Sequence, residues 1–107
     1  MKKLLLASLL TISSTAFSAP QLTEWGKVVH LETGWNEDHM QVVLKDAPYI
    51  NICSHTDGYH TDSNNEARKM QHSMLLAAYS AGDEVSLAIE GCTIHGRPKI
   101  ISVRIRK

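Results

Sequence analysis

Apolar residues along this chain recur at two periods, and the change from one to the other divides it into elements. Over His39–Lys45 (HMQVVLK), Met40, Val42 and Leu44 take alternate positions, the period-two mark of a strand with one buried face. Glu84–Glu90 (EVSLAIE) repeats the mark with Val85, Leu87 and Ile89. Lys99–Arg106 (KIISVRIR) repeats it again, with Ile101, Val103 and Ile105 inward and Ser102, Arg104 and Arg106 outward. Glu24–Glu32 (EWGKVVHLE) is a further predicted strand, with Val28 and Val29 buried and Gly26 at a bulge or bend. Tyr49–Cys53 (YINIC) follows the connection Asp46-Ala47-Pro48 and is predicted as the third strand in chain order, Ile50 and Ile52 facing one way.

Between the third and fourth strands the period lengthens. Ser63–Gly82 reads as the one long helix, with Ala67, Met70, Met74, Ala77, Ala78 and Ala81 at steps of three and four. Leu75, Leu76 and Tyr79 widen that face, and Gln71 falls toward its edge. Ser63 and Glu66 have the spacing of a capping box, and Gly82 supplies the left-handed residue that ends many helices. Ser54–Asp62 (SHTDGYHTD) has no apolar period and is predicted as a loop leading into the helix.

The first 18 residues stand apart from this pattern. Lys2 and Lys3, the apolar run Leu4–Ile12 and the small-x-small triplet Ala16-Phe17-Ser18 make a secretory signal peptide, leaving residues 19–107 as a single domain. The apolar run is too short for a membrane span. Of the eleven Lys and Arg, two lie in that segment; nine against eleven acidic residues give the remainder a net charge of −2. A near-neutral chain lacks the basic stripe that duplex nucleic acid requires.

Cys53 and Cys92 are the two cysteines of an exported chain, at the ends of strands on either side of the helix, and are predicted to form a disulfide. A closed loop of that size is worth on the order of 4 kcal/mol in the chain-entropy picture. The periplasm or the extracellular space is the expected location.

Mainly β with one helix in the order β-β-β-α-β-β, at this length, is the order of a small five-stranded OB-fold-like barrel. With an export signal, Cys53 ending the third strand, Ala78-Tyr79-Ser80-Ala81-Gly82 ending the helix, and Gly91-Cys92 before a closing strand, the chain resembles the OB-fold B subunits of bacterial multi-subunit toxins. It is similar also to small exported proteins related to the subtilase cytotoxin and pertussis-like B subunits. That resemblance implies a binding role and, because such subunits are pentamers, a homo-oligomer. No sugar-contacting residue of those toxins matches a position here.

In OB-folds the ligand meets the second and third strands and the loops flanking them. Trp35 in the first such loop, Tyr59 and His60 in the loop before the helix, and His95 and Arg97 between the last two strands are therefore the candidate ligand-binding residues. An aromatic plate beside polar donors suits a glycan or another polar ligand. No cofactor or metal is expected; the alternative is a metal set of His55, Asp57, His60 and Asp62, within eight residues of one another. His30, His39 and His72 read as isolated histidines, and Glu32, Glu37, Asp38 and Glu66 as a solvated surface. No nucleophile elbow, zinc-protease motif or phosphate loop is present, so an enzyme is not expected. The expected function is a non-catalytic exported binding domain. The alternatives are a structural or interaction subunit of a homo- or hetero-oligomer and a periplasmic metal-binding protein.

Overall fold

The computed structural model describes residues 19–107; the predicted signal peptide lies outside the described residues. Six strands and one helix follow in the order β1 (Gln21–Leu22), β2 (Gly26–Thr33), β3 (Met40–Lys45), β4 (Tyr59–Thr61), α1 (Arg68–Ala81), β5 (Glu84–Cys92) and β6 (Pro98–Arg106). The strands run β1-β5-β2-β3-β4-β6, and β6 pairs back onto β5. Five strands thus close a small barrel, and the two-residue β1 pairs with β5 at Gln21↔Ile89 and Leu22↔Ala88, on the same edge that β2 takes at Gly26↔Val85. Closure leaves few unpaired edges in a chain of short strands.

The interior is filled from every wall. Val28, Met40, Val42, Tyr59, Val85, Leu87, Ile89, Ile100 and Val103 form one core with Leu75 and Ala78 of the helix. In β3 the predicted face holds: Met40 and Val42 are buried and Leu44 packs against them. Three register shifts break the simple alternation elsewhere, one of them between Ile89 and Cys92 of β5. In β2, Val28 pairs with Leu44 and His30 with Val43, so Val29 is the extra residue and points to solvent rather than into the core. In β6 the register slips between Ser102 and Ile100, so Ile100 takes the core position expected of Ile101.

The third strand is not where the apolar run predicted it. Tyr49–Cys53 is irregular, and the strand that completes the barrel is Tyr59–Thr61, inside the segment expected to be a loop. It is antiparallel to β3 (Val42↔Tyr59) and parallel to β6 (Thr61↔Ile100). The two segments are fastened side by side instead: the Tyr59 hydroxyl accepts the Ile50 N–H at 2.8 Å, and the Tyr49 hydroxyl donates to the Gly58 carbonyl at 2.8 Å. Cys53 and Cys92 are bonded, with Cα atoms 5.9 Å apart.

The helix starts five residues later than predicted, and Ser63 and Glu66 form no capping box. Asp62 Oδ1 accepts the Asn64 N–H and Asn65 Oδ1 the Ala67 N–H, so Asx turns compete with helix over this stretch. Ala67 stands at the helix entrance with no side-chain cap, whereas Gly82 ends it as predicted, at φ 71° with its N–H on the Ala78 carbonyl. The buried face is turned from the predicted one. Gln71 is 5% exposed and Leu75 and Ala78 are buried, while Met70 is 71% exposed and Leu76 and Tyr79 are about half exposed. Met74 lies partly buried beside them. Met70, Met74, Leu75, Leu76, Ala77, Ala78 and Tyr79 spread apolar groups almost all round, so spacing alone admits two faces. Tertiary contacts select one: His72 Nε2 lies 2.7 Å from Thr61 Oγ1, which also accepts the Met40 N–H at 2.8 Å.

Candidate functional site

One end of the barrel carries a depression of about 470 Å³ between the β2–β3 loop, the outer side of β3 and β4, and the β5–β6 turn. Each wall has a local reason for its position. The loop after Thr33 turns through Asn36, which adopts φ 60°, a conformation that Asn tolerates better than most residues. The β5–β6 turn is closed by Thr93 N–H on the Arg97 carbonyl (2.8 Å) and Gly96 N–H on the Thr93 carbonyl (2.9 Å). The disulfide and the bond from His55 N–H to the Gly96 carbonyl (2.9 Å) hold this turn against the segment leading into β4.

On the outer side of β3, Gln41 stands opposite His60 of β4. The Gln41 side-chain amide donates to the Asp57 carbonyl at 2.8 Å, which turns its Oε1 toward His60 Nε2 at 3.3 Å. His60 therefore carries its proton on Nε2, and its buried Nδ1 is a bare acceptor with no partner. His39 stacks on His60 with ring centres 4.8 Å apart, and His95 lies 4.7 Å from His39 and 5.8 Å from His60. His39 Nδ1 is also buried and unpartnered. The ring of His39 lies against Gly34, where any Cβ would collide with it. Glu37 closes the group, its Oε1 3.1 Å from His95 Nε2.

Charge is distributed unevenly over these walls. Arg97 grips Asp57 with two bonds of 2.8 Å, Nε to Oδ1 and Nη2 to Oδ2, and its Nη1 donates to the His95 carbonyl at 3.2 Å. That pairing lowers the Asp57 carboxyl to about 2 and raises the Arg97 guanidinium. Burial, and then the neighbouring His39 and Arg97, push His60 down to about 4. Burial also lowers His39, against the opposing pull of Glu37. Both imidazoles are neutral at pH 7.

Of the five candidate residues, four line the depression: Trp35, His60, His95 and Arg97. Trp35 is 88% exposed at its rim and caps no core. Tyr59 is not among them. Strand geometry sends Tyr59 and His60 to opposite sides of β4, and Tyr59 lies in the core, stacked on Tyr49 at 4.8 Å. The set His55, Asp57, His60 and Asp62 does not assemble. Asp57 is engaged by Arg97 and Asp62 by the Asn64 amide, and among the described residues only Glu37, His39 and His95 bring three possible metal-ligand atoms within 4.8 Å of one another.

Sequence reasoning passed over Glu32, Glu37, His39 and Gln41, all on the walls. A signal for two of them was present: Gln41 alternates with the core residues Met40 and Val42 and so belongs to the outer side of β3, and His39, just before the strand, continues that alternation. Compared with known protein families, curated proteins and solved structures, the chain matches none.

Proposed function

We propose that this chain is an exported, non-catalytic binding domain whose depression takes a polar ligand of the saccharide class. The observation that carries the reading is Trp35: an almost fully exposed indole at the rim of a depression otherwise walled by polar groups. An apolar plate beside hydrogen-bonding groups fits a sugar ring, which has an apolar face and a girdle of hydroxyls. Gln41, His95 and Glu37 supply donors and acceptors within the depression. Three carboxylates, Glu32, Glu37 and Asp57, against the single guanidinium of Arg97 disfavour a polyphosphate chain.

Export is supported by the signal-like first 18 residues and by the disulfide, which persists in oxidising compartments. Among the described residues no helix is long and apolar enough to cross a membrane. The resemblance to toxin B subunits favours the same reading and adds a ring of identical chains to it. A glycan array probed with the exported chain tests the ligand class, and light scattering tests the assembly. Trp35→Ala is expected to abolish any array signal while leaving the fold intact. A wild-type chain with no glycan signal, or a signal that survives Trp35→Ala, removes the saccharide reading.

A further inference from the structure

We propose that Glu37, His39 and His95 form a mononuclear site for a borderline divalent transition metal ion, for which zinc is the probe, with one coordination position open to the depression. The proposal stands on this cluster alone and does not depend on the saccharide reading. One ligand atom from each of the three residues lies within 4.8 Å of the other two. Two imidazoles and one carboxylate are the donor set of three-ligand zinc sites that keep a fourth position for water or ligand. Calcium and magnesium prefer all-oxygen shells and are not matched by two nitrogens.

The geometry is close to that of ligation. Two donors about 2.0–2.1 Å from a tetrahedral zinc lie about 3.3 Å apart, and His95 Nε2 and Glu37 Oε1 already stand 3.1 Å apart. The widest separation in the group must shorten by about 1.5 Å. Glu37 is exposed and His95 only partly buried, so both have the freedom to do this. His39 is the fixed member, held by Gly34 on one side and the His60 ring on the other.

Two independent features point to a cation here. His39 and His60, 7% and 4% exposed, each keep a buried ring nitrogen with no partner, whereas buried polar atoms are nearly always paired. His60 Nδ1 is an acceptor because its Nε2 proton faces Gln41, and His39 binds a cation through a ring nitrogen in its neutral form. The field has the right sign as well: the only guanidinium on the walls is tied to Asp57, and the remaining wall carboxylates face only histidines, Glu32 with His30 at 3.0 Å and Glu37 with His95 at 3.1 Å.

The test is calorimetric titration of zinc chloride into the exported, untagged chain after chelator treatment. One ion per chain is expected, with a rise in melting temperature on saturation. Glu37→Gln and His95→Gln, both at accessible positions, should each weaken binding by roughly tenfold or more. His30→Gln and His55→Gln should leave it unchanged. Because His39→Gln disturbs a buried ring and risks misfolding, His39 is followed in the wild-type chain, where zinc should move the His39 and His95 ring resonances and not that of His30. No saturable binding overturns the proposal. So does zinc binding that Glu37→Gln and His95→Gln leave intact, which would assign the ion to other surface histidines.

Discussion

The two tryptophans of the described chain occupy opposite situations. Trp25, half-buried just before β2, is faced by two guanidinium groups, Arg104 at 4.8 Å and Arg106 at 4.4 Å from its ring centre. Those arginines are themselves engaged, Arg104 donating to Ser86 Oγ at 2.9 Å and Arg106 to Glu84 Oε1 at 2.9 Å. Ser86 Oγ in turn donates to the Thr23 carbonyl at 2.7 Å, and Thr23 Oγ1 accepts the Leu87 N–H at 2.9 Å. Trp35 has no such cover, and beneath it two buried imidazole nitrogens lack partners. One region has satisfied its polar groups within the chain and contributes to stability. The other leaves aromatic surface exposed and two buried ring nitrogens without partners.

The largest test concerns the support common to both regions, the buried face of α1. Leu75→Asp places an unpaired charge at a fully buried position of the barrel core and should cost more than about 4 kcal/mol. Met70→Asp, on the exposed side, should stay within about 0.5 kcal/mol of wild type. Thermal melts of the two variants decide it; similar losses would mean that the helix packs on the face its spacing first suggests.

Acid should weaken the imidazole region selectively. His39, His60 and His72 are all held below their ordinary value, chiefly by burial. For a histidine lowered in the folded state, both states are neutral above pH 6.5 and stability is fully present there. As the pH falls from about 6.5 toward 4, the unfolded chain takes up protons that folded His60 refuses, and stability is lost. Unfolding free energies from urea titrations should fall between pH 7 and pH 4.5 by an amount on the order of 2–3 kcal/mol. Glu37 and Asp38 oppose the shift of His39, and Asp57 that of His60, yet both imidazoles stay lowered, so none of the three carboxylates removes the effect. A flat profile over this window would show that these rings are not buried as described.

The tryptophans themselves give the next contrast. Trp25→Ala should cost about 1–3 kcal/mol through lost ring contacts with the two arginines, and Trp35→Ala should stay within about 0.5 kcal/mol. Equal losses in chemical denaturation would erase the distinction between the regions. The smallest effect is a gain. Gln71 buries an Oε1 with no partner, so Gln71→Met, similar in shape, should stabilise the fold by about 1 kcal/mol. A loss of similar size would reveal a hydrogen bond that this amide makes in solution.

What the sequence by itself determined is what depends on near neighbours. Alternation over Met40–Lys45 and Glu84–Glu90 follows from the pleat, and the glycine stop at Gly82 from its own backbone freedom. The mainly β make-up with one helix before the last two strands, and the two cysteines flanking that helix, were legible for the same reason, and four of the five candidate residues line one depression. The rest belongs to the tertiary structure. Tyr59–Thr61 is too short to show a period, and it becomes a strand because β3 and β6 each offer it a row of partners. The bulges at Val29 and in β6 move core positions by one residue, which no alternation announces. The helix face was undecided by a sequence apolar nearly all round, and docking on the barrel selected Gln71, Leu75 and Ala78. Glu37, His39 and His95 meet only because a hairpin loop and a distant turn, tied down by Cys53–Cys92, arrive at the same end of the barrel.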